Sequence, residues 1–399
     1  MRTISRRTKR VKNALLTFCG TVASALLLRI GAQTVLFAGL SSETNYDSFI
    51  VLHRKCETLL YYLHTHGSSD VLVASGRTDV LPACVIIANG AAELFTFRNT
   101  INSTGGYISR GVELGRAAFN YCSNFRAFLS DVAIHLSKGV SRVGVVVCGD
   151  LYDLPPRAMH FFGRIGAVPL VHALRVQDGR CPKDVIPIPD PHFIQTRGFE
   201  KQIAELNQLV PFESKIKNVF WRGSTTGFHE GGCGSLERVM LAKAVRESKI
   251  YDVALTNLVQ LCDNVDDREK LRDLLTSQVP ERQWVERLGV LDIDGNVGAW
   301  GLFWRLGSGS VVFRVIGENI YCSMLSEHLT PWVHFVPVYV DFTSANVSTY
   351  LDKLAWDVMS NSTLVGELSQ AASALAASHS YEREVVRTAA ELQSMFEQG

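Results

Sequence analysis

The chain has 399 residues, 47% of them hydrophobic and 20% charged, and a formal net charge of +1. That length supports sizeable cores and favours two domains over one. A charge this close to zero, with no basic stripe, argues against nucleic acid as a partner, while a small anion held by one local arginine stays open. The nine cysteines are widely spaced and contain no CxxC pair, which disfavours a zinc knuckle. Several sit in apolar runs and read as buried thiols, with one or two disulfides left open.

In chain order, residues 1–12 carry six basic residues and no acidic one, and residues 13–28 are almost wholly apolar until Arg29 interrupts. A basic flank before an apolar run is the pattern of a signal sequence or anchor. The run is short for a bilayer span, so residues 1–40 read either as a membrane anchor, with membrane association through 13–40, or as a buried helix with a basic tail. Sequons at Asn102, Asn346 and Asn361 matter only in a secretory lumen.

From residue 47 helices and strands alternate. A helix is predicted over 47–66, short strands in DVLVASG and ACVIIANG, a strand in AELFTFRN and a helix over 112–137. SRVGVVVCGD is a continuous β-branched run ended by glycine, the mark of a buried strand, and AVPLVHALR is another. The alternation predicts a layered α/β fold. Residues 177–198 hold Pro182, Pro187, Pro189 and Pro191, which oppose a regular helix or central strand and read as a connection between domains. Beyond it, a helix is expected over 199–209, a strand over 217–222, a helix over 235–247 and a strand over 287–293. A helix starting at 300–306 and strands over 310–315 and 333–340 follow, then one or two amphipathic helices from Leu364 to Phe396. The domains expected are therefore 41–198, 199–360 and a helical tail over 361–399. Two α/β halves suggest a ligand cleft between them.

Four constellations stand out. FWRGSTTG ends an apolar strand in Arg222 and continues through Gly223, Ser224 and Thr225. Such a stretch either offers an arginine and several N–H groups to phosphate oxygens or is an ordinary turn with a surface arginine. In LDIDGN, Asp294, Gly295 and Asn296 are ordinary turn chemistry, or bind ligand hydroxyls if the loop faces the cleft. Arg305, set among Phe303, Trp304 and Leu306, either snorkels or faces a ligand. GDLYDLPP places Asp150 and Asp153 after the strongest strand, where carboxylates serve as general bases or merely cap a turn. The histidines show no metal-ligand spacing, so no catalytic zinc is expected.

FWRGSTTG, LDIDGN, WGLFWRLGSGSVVF and PWVHFVPV occur in the same order as in glycosyltransferase family 90, which the chain resembles over roughly residues 145–355. The family includes protein O-glucosyltransferases, capsule xylosyltransferases and bacterial lipopolysaccharide-modifying enzymes. The resemblance implies a GT-B-like fold, two Rossmann-like domains facing a central cleft, with the C-terminal helices packing back. It also implies an inverting transfer of a sugar, glucose or xylose, from a UDP-sugar to a hydroxyl on a glycan, lipopolysaccharide or protein, with no cofactor or metal required. Asp153 matches the family's base. Arg222, Gly223, Ser224, Thr225, Asp294, Gly295, Asn296, Arg305 and Ser310 are the expected donor-binding residues. Where many animal members carry an arginine this chain has Gly301; it resembles more the bacterial-type branch, where a basic residue occupies the place of Arg305, and the resemblance implies a pyrophosphate role for Arg305. The alternative is a catalytically degenerate member that binds carbohydrate or nucleotide sugar. Expected locations are a Golgi or ER lumen, or the cytoplasmic face of a bacterial inner membrane.

Overall fold

The structure, a computed structural model, describes residues 81–88, 91–96, 111–136, 141–148, 167–176, 180–227, 231–317 and 320–398. The predicted helix over 47–66, the strand in DVLVASG, the 13–40 segment, Asn102 and both aspartates of GDLYDLPP lie outside these residues. Among the described residues no helix is long and apolar enough to cross a membrane.

The architecture is α/β. The first sheet contains β1 (Leu81–Ala88), β2 (Ala91–Thr96), β3 (Ser141–Cys148), β4 (Ala167–Val171) and β6 (Ile186–Pro187), in the order β2-β1-β3-β4-β6. It is mixed: β1 pairs antiparallel with β2 and β3, whereas β3, β4 and β6 run parallel. The register of β1 and β2 sets Ala88 opposite Ala91. Helix α1 (Gly111–Ile134) buries Phe125, Phe128, Leu129 and Val132, spaced three and four apart as one helical face requires.

The proline-rich segment is more regular than its composition predicts. Asp190 caps helix α2 (Pro191–Gln195), accepting the N–H groups of His192 and Phe193 at 2.8 and 3.0 Å. Pro191 stands in the first turn, where its missing N–H has no intrahelical acceptor to lose. Pro187 belongs to a two-residue edge strand, the sheet position that tolerates proline.

After helix α3 (Glu200–Leu209) comes the second sheet, wholly parallel, in the order β12-β10-β9-β7-β8. Its strands are β7 (Ile216–Ser224), β8 (Tyr251–Asn257), β9 (Arg287–Asp292), β10 (Val311–Val315) and β12 (Val336–Val338). Between them lie helices α4 (Glu237–Ala244), α5 (Val265–Lys270), α6 (Glu281–Val285) and α7 (Leu302–Gly307). Strand β8 escapes sequence reading, because Asp252 and Asn257 and a half-exposed edge position hide its apolar pattern. The run predicted as a strand over 333–340 shortens to three residues. Trp332 takes a left-handed φ of 62° and its N–H donates to the Phe335 carbonyl, so the chain turns before it pairs.

A small ladder joins the two halves: β5 (Leu174–Val176) pairs antiparallel with β11 (Ile320–Cys322). Cys181 and Cys322 form a disulfide beside it, and Cys233 pairs with Cys262. Among the described residues these four cysteines are therefore bonded rather than free thiols. Buried side chains from α1, both sheets and the C-terminal helices form one continuous core. Helices α8 (Val347–Ser360), α9 (Ser362–Ser378) and α10 (Tyr381–Gln398) close the chain. Helix α10 returns to the first sheet: the Tyr381 hydroxyl donates to Asp131 of α1 at 2.8 Å, and Arg387 donates to the Pro187 carbonyl at 2.6 Å.

Arg387 also donates to Glu384 at 2.8 Å and Glu391 at 2.7 Å, and Glu384 is 1% exposed. Arg387→Met should leave that buried carboxylate with His379 alone, at a cost of about 3 kcal/mol in urea unfolding. A loss below about 0.5 kcal/mol, the size of an exposed pair, would show that the cluster does not hold α10 in place.

Candidate functional site

A cavity of about 260 Å³ opens where the carboxyl ends of strands from both sheets meet. His172 and Ala173 follow β4, Asp294 and Trp300 follow β9, and Arg314 ends β10; Asp190 and Tyr321 complete the polar wall. Carboxyl ends are where α/β sheets bind ligands, because the connecting loops there are free of the ladder.

The loops around the cavity are built on Arg238, the second residue of α4. Its Nε donates to the Asp294 carbonyl at 2.9 Å and its Nη2 to the Ile293 carbonyl at 2.9 Å. Nη1 reaches the Ser224 carbonyl at 3.1 Å and the Thr226 hydroxyl at 2.6 Å. One guanidinium thus ties the loop after β7 to the loop after β9, above the Trp221 ring. Burial, then the neighbouring charge of Arg305, pushes its pKa down to about 10, which leaves it charged at neutral pH. Two glycines make room. A Cβ on Gly295 would fall 2.7 Å from the Thr226 hydroxyl and 2.9 Å from Arg238, and one on Gly223 would enter the Trp221 ring.

The predicted residues divide between the cavity wall and the support around it. Asp294 lines the cavity, its Oδ1 accepting the Ala299 N–H at 2.9 Å. Burial first, and the like charge of Asp292, raise its pKa, against the pull of Arg314. Asn296 is buried and accepts the Gly227 N–H at 3.0 Å, so LDIDGN and FWRGSTTG do meet. Arg222 does not line the cavity. Its guanidinium donates to Asp252 on β8, through both the carboxylate and the carbonyl, and stacks 4.3 Å over Phe220. Thr225, fully buried, gives its N–H to Asn257 and exchanges hydrogen bonds with Val259 through its hydroxyl. Its N–H group is therefore bonded within the chain. Arg305 is buried against Trp284 and pairs with Asp292, which is 0% exposed. It folds back over Gly301, where a Cβ would fall 2.7 Å from its Nη2. Ser310 lies at the amino end of β10, bonded to Lys215 and the Arg287 carbonyl, on the edge of the sheet away from the cavity. Asp153 lies outside the described residues. Among those residues no three His, Cys, Asp or Glu side chains gather as a metal ion would need.

Sequence reasoning missed Arg238, Arg314 and Asp190. Arg238 reads as the solvent face of a helix start. Arg314 carried a signal, as the one charged residue in the buried run VVFRV. Asp190 lies in the proline-rich segment that the sequence presents only as a connection.

Residues 194–387 match the model of glycosyl transferase family 90. The match begins downstream of Asp153. Over 145 residues the chain is 31% identical to protein O-glucosyltransferase 2 of Danio rerio, an alignment covering 36% of this chain and 25% of that protein. The chain thus matches about a quarter of that relative's length. Similar solved structures include a glycosyltransferase from Rickettsia africae, with 8% identity and a TM-score of 0.37 over 62% of this chain and 69% of that one. A sucrose-phosphate synthase from Thermosynechococcus elongatus gives 11% identity and a TM-score of 0.35 over 68% and 62%. At those scores neither structure carries an argument about this chain.

Two predictions follow from the geometry. Arg238→Ala leaves three carbonyls and a hydroxyl without their donor and should cost about 3–5 kcal/mol in denaturant unfolding. Arg238→Lys should recover only part of this, since an ammonium cannot fork to both loops; full recovery would contradict the clamp. Burial raises the Asp190 carboxyl to about 6, against the backbone N–H groups of Phe193, His192 and Asp190 itself that lower it. Its ionised form therefore destabilises the fold above pH 6, and that loss is relieved as pH falls toward the unfolded-state value near 4. Asp190→Asn keeps the helix cap. The melting temperature of the variant, relative to the parent, should be higher at pH 7.5 than at pH 4.5, and a pH-independent difference would rule the burial effect out.

Proposed function

From the match of residues 194–387 to the model of glycosyl transferase family 90, we propose that this chain transfers a sugar from a UDP-sugar to a hydroxyl acceptor with inversion at the anomeric carbon. The observation that carries the reading is a coincidence of place: the family match spans the strands whose carboxyl ends form the far wall of the cavity. The donor lies against β9 and β10, and the acceptor enters from the side of β4, in a GT-B-like arrangement.

The reaction is a single displacement. Asp153 takes the proton of the acceptor hydroxyl as its oxygen attacks the anomeric carbon. The bond from that carbon to the phosphate oxygen breaks on the opposite face, and UDP leaves with the electron pair. Base catalysis of this kind contributes about 10²–10⁴-fold, and positive groups aimed at the departing diphosphate contribute more. Glucose is the favoured sugar, in keeping with the relative's name, and the acceptor is a glycan or protein. The two disulfides favour an oxidising compartment, which suits an ER or Golgi lumen better than a cytosolic face.

A specific observation favours a second reading, a nucleotide-sugar-binding protein without turnover: Arg222 and Arg305 are both engaged by carboxylates inside the fold. Thermal shift against a nucleotide-sugar panel, with and without EDTA, tests the shared premise, since ligands that bind the native state raise its melting temperature. Transfer from radiolabelled donor then separates the two. Asp153→Asn should keep the UDP-dependent shift and lose transfer by about 10²-fold or more. Undiminished transfer in that variant would remove Asp153 as the base.

A further inference from the structure

Four arginines, Arg222, Arg238, Arg305 and Arg314, lie on or beside the second sheet, and three are engaged within the protein. Arg222 is held by Asp252, Arg305 by Asp292, and Arg238 by four acceptors in two loops. Arg314 differs. It lines the cavity, with its side chain 19% exposed. Its closest carboxylate oxygens are Asp294 Oδ2 at 3.9 Å and Asp292 Oδ2 at 4.0 Å, both beyond hydrogen-bond range. Its guanidinium also lies 5.9 Å from the centre of the Phe335 ring, which walls the same cavity. Among the described residues it donates no hydrogen bond.

A guanidinium in that position is attracted to its neighbours without being saturated by them. Asp292 is already neutralised by Arg305, so Asp294 alone balances Arg314, and burial disfavours the ionised form of Asp294. The planar fork of five donors remains free for an incoming ligand. Two oxygens of a phosphate match it in spacing and plane, and the surrounding apolar wall strengthens the attraction. A neutral sugar hydroxyl would satisfy one donor and leave the charge uncompensated.

We propose that Arg314 is the arginine that binds the diphosphate of the donor nucleotide. The assignment rests on reading the cavity as the donor site. On binding, Arg314 exchanges its long ion pairs for bidentate hydrogen bonds to the phosphates. The Asp294 carboxylate, still held by the Ala299 N–H, is left to accept a hydroxyl of the donor.

Calorimetric titration of the parent, Arg314→Gln and Arg314→Lys with UDP, uridine and inorganic pyrophosphate tests this. Arg314→Gln should weaken UDP at least about tenfold and leave uridine unchanged, with Arg314→Lys between the two. Equal UDP affinity in parent and Arg314→Gln overturns the assignment. So does an equal loss for UDP and uridine, which would mark a collapsed cavity rather than a lost phosphate contact. A parent that binds pyrophosphate through Arg314 but binds no UDP would overturn the nucleotide-sugar reading and keep Arg314 as an anion site. A parent that binds none of the three overturns both.

Discussion

The buried guanidinium of Arg238 is the constraint on which the cavity depends. A parallel sheet releases its chain at the carboxyl ends of its strands, and each release leaves carbonyls that the ladder no longer satisfies. Here two such loops, after β7 and β9, turn their carbonyls toward one cation that meets them from three nitrogens. In a low-dielectric surrounding those bonds are strong, and leaving them unmade is costly. Gly223 and Gly295 follow from this arrangement, since each stands where a side chain would collide with the clamp or with the indole beneath it. The Asp292–Arg305 pair and the Asp294–Arg314 contact extend the same charge alternation toward the cavity.

The larger frame serves the same end. One continuous core runs from α1 through both sheets to α9, so the two cavity walls rest on a shared apolar interior. Edge-to-face contacts of Phe193 with Phe303 and of Phe128 with Tyr381 link the first half to α7 and α10. The C-terminal helices thereby reach back across the chain.

The sequence disclosed strands written as continuous apolar runs and hid one whose burial is partial. SRVGVVVC and VVFRV are continuous apolar runs, and both are strands. YDVALTN lies at an edge, half wet, and reads as nothing in particular. That one omission changed the reading of the site. Asp252 sits on β8, so the partner of Arg222 was invisible and Arg222 looked free for a ligand. The meeting of FWRGSTTG with LDIDGN was legible, because glycine and short polar residues at strand ends mark loops that share an edge. Which arginine faces the cavity was not legible, because it depends on strand register and on which carboxylate each guanidinium meets first.

The β5–β11 ladder and the Cys181–Cys322 bond lie along one margin of the cavity, to which Ile320 and Tyr321 also contribute. That margin is fixed both by hydrogen bonds and by a covalent link between residues 141 positions apart. Separating the two walls at this margin would require the ladder to break, and the disulfide would still hold the two strands together.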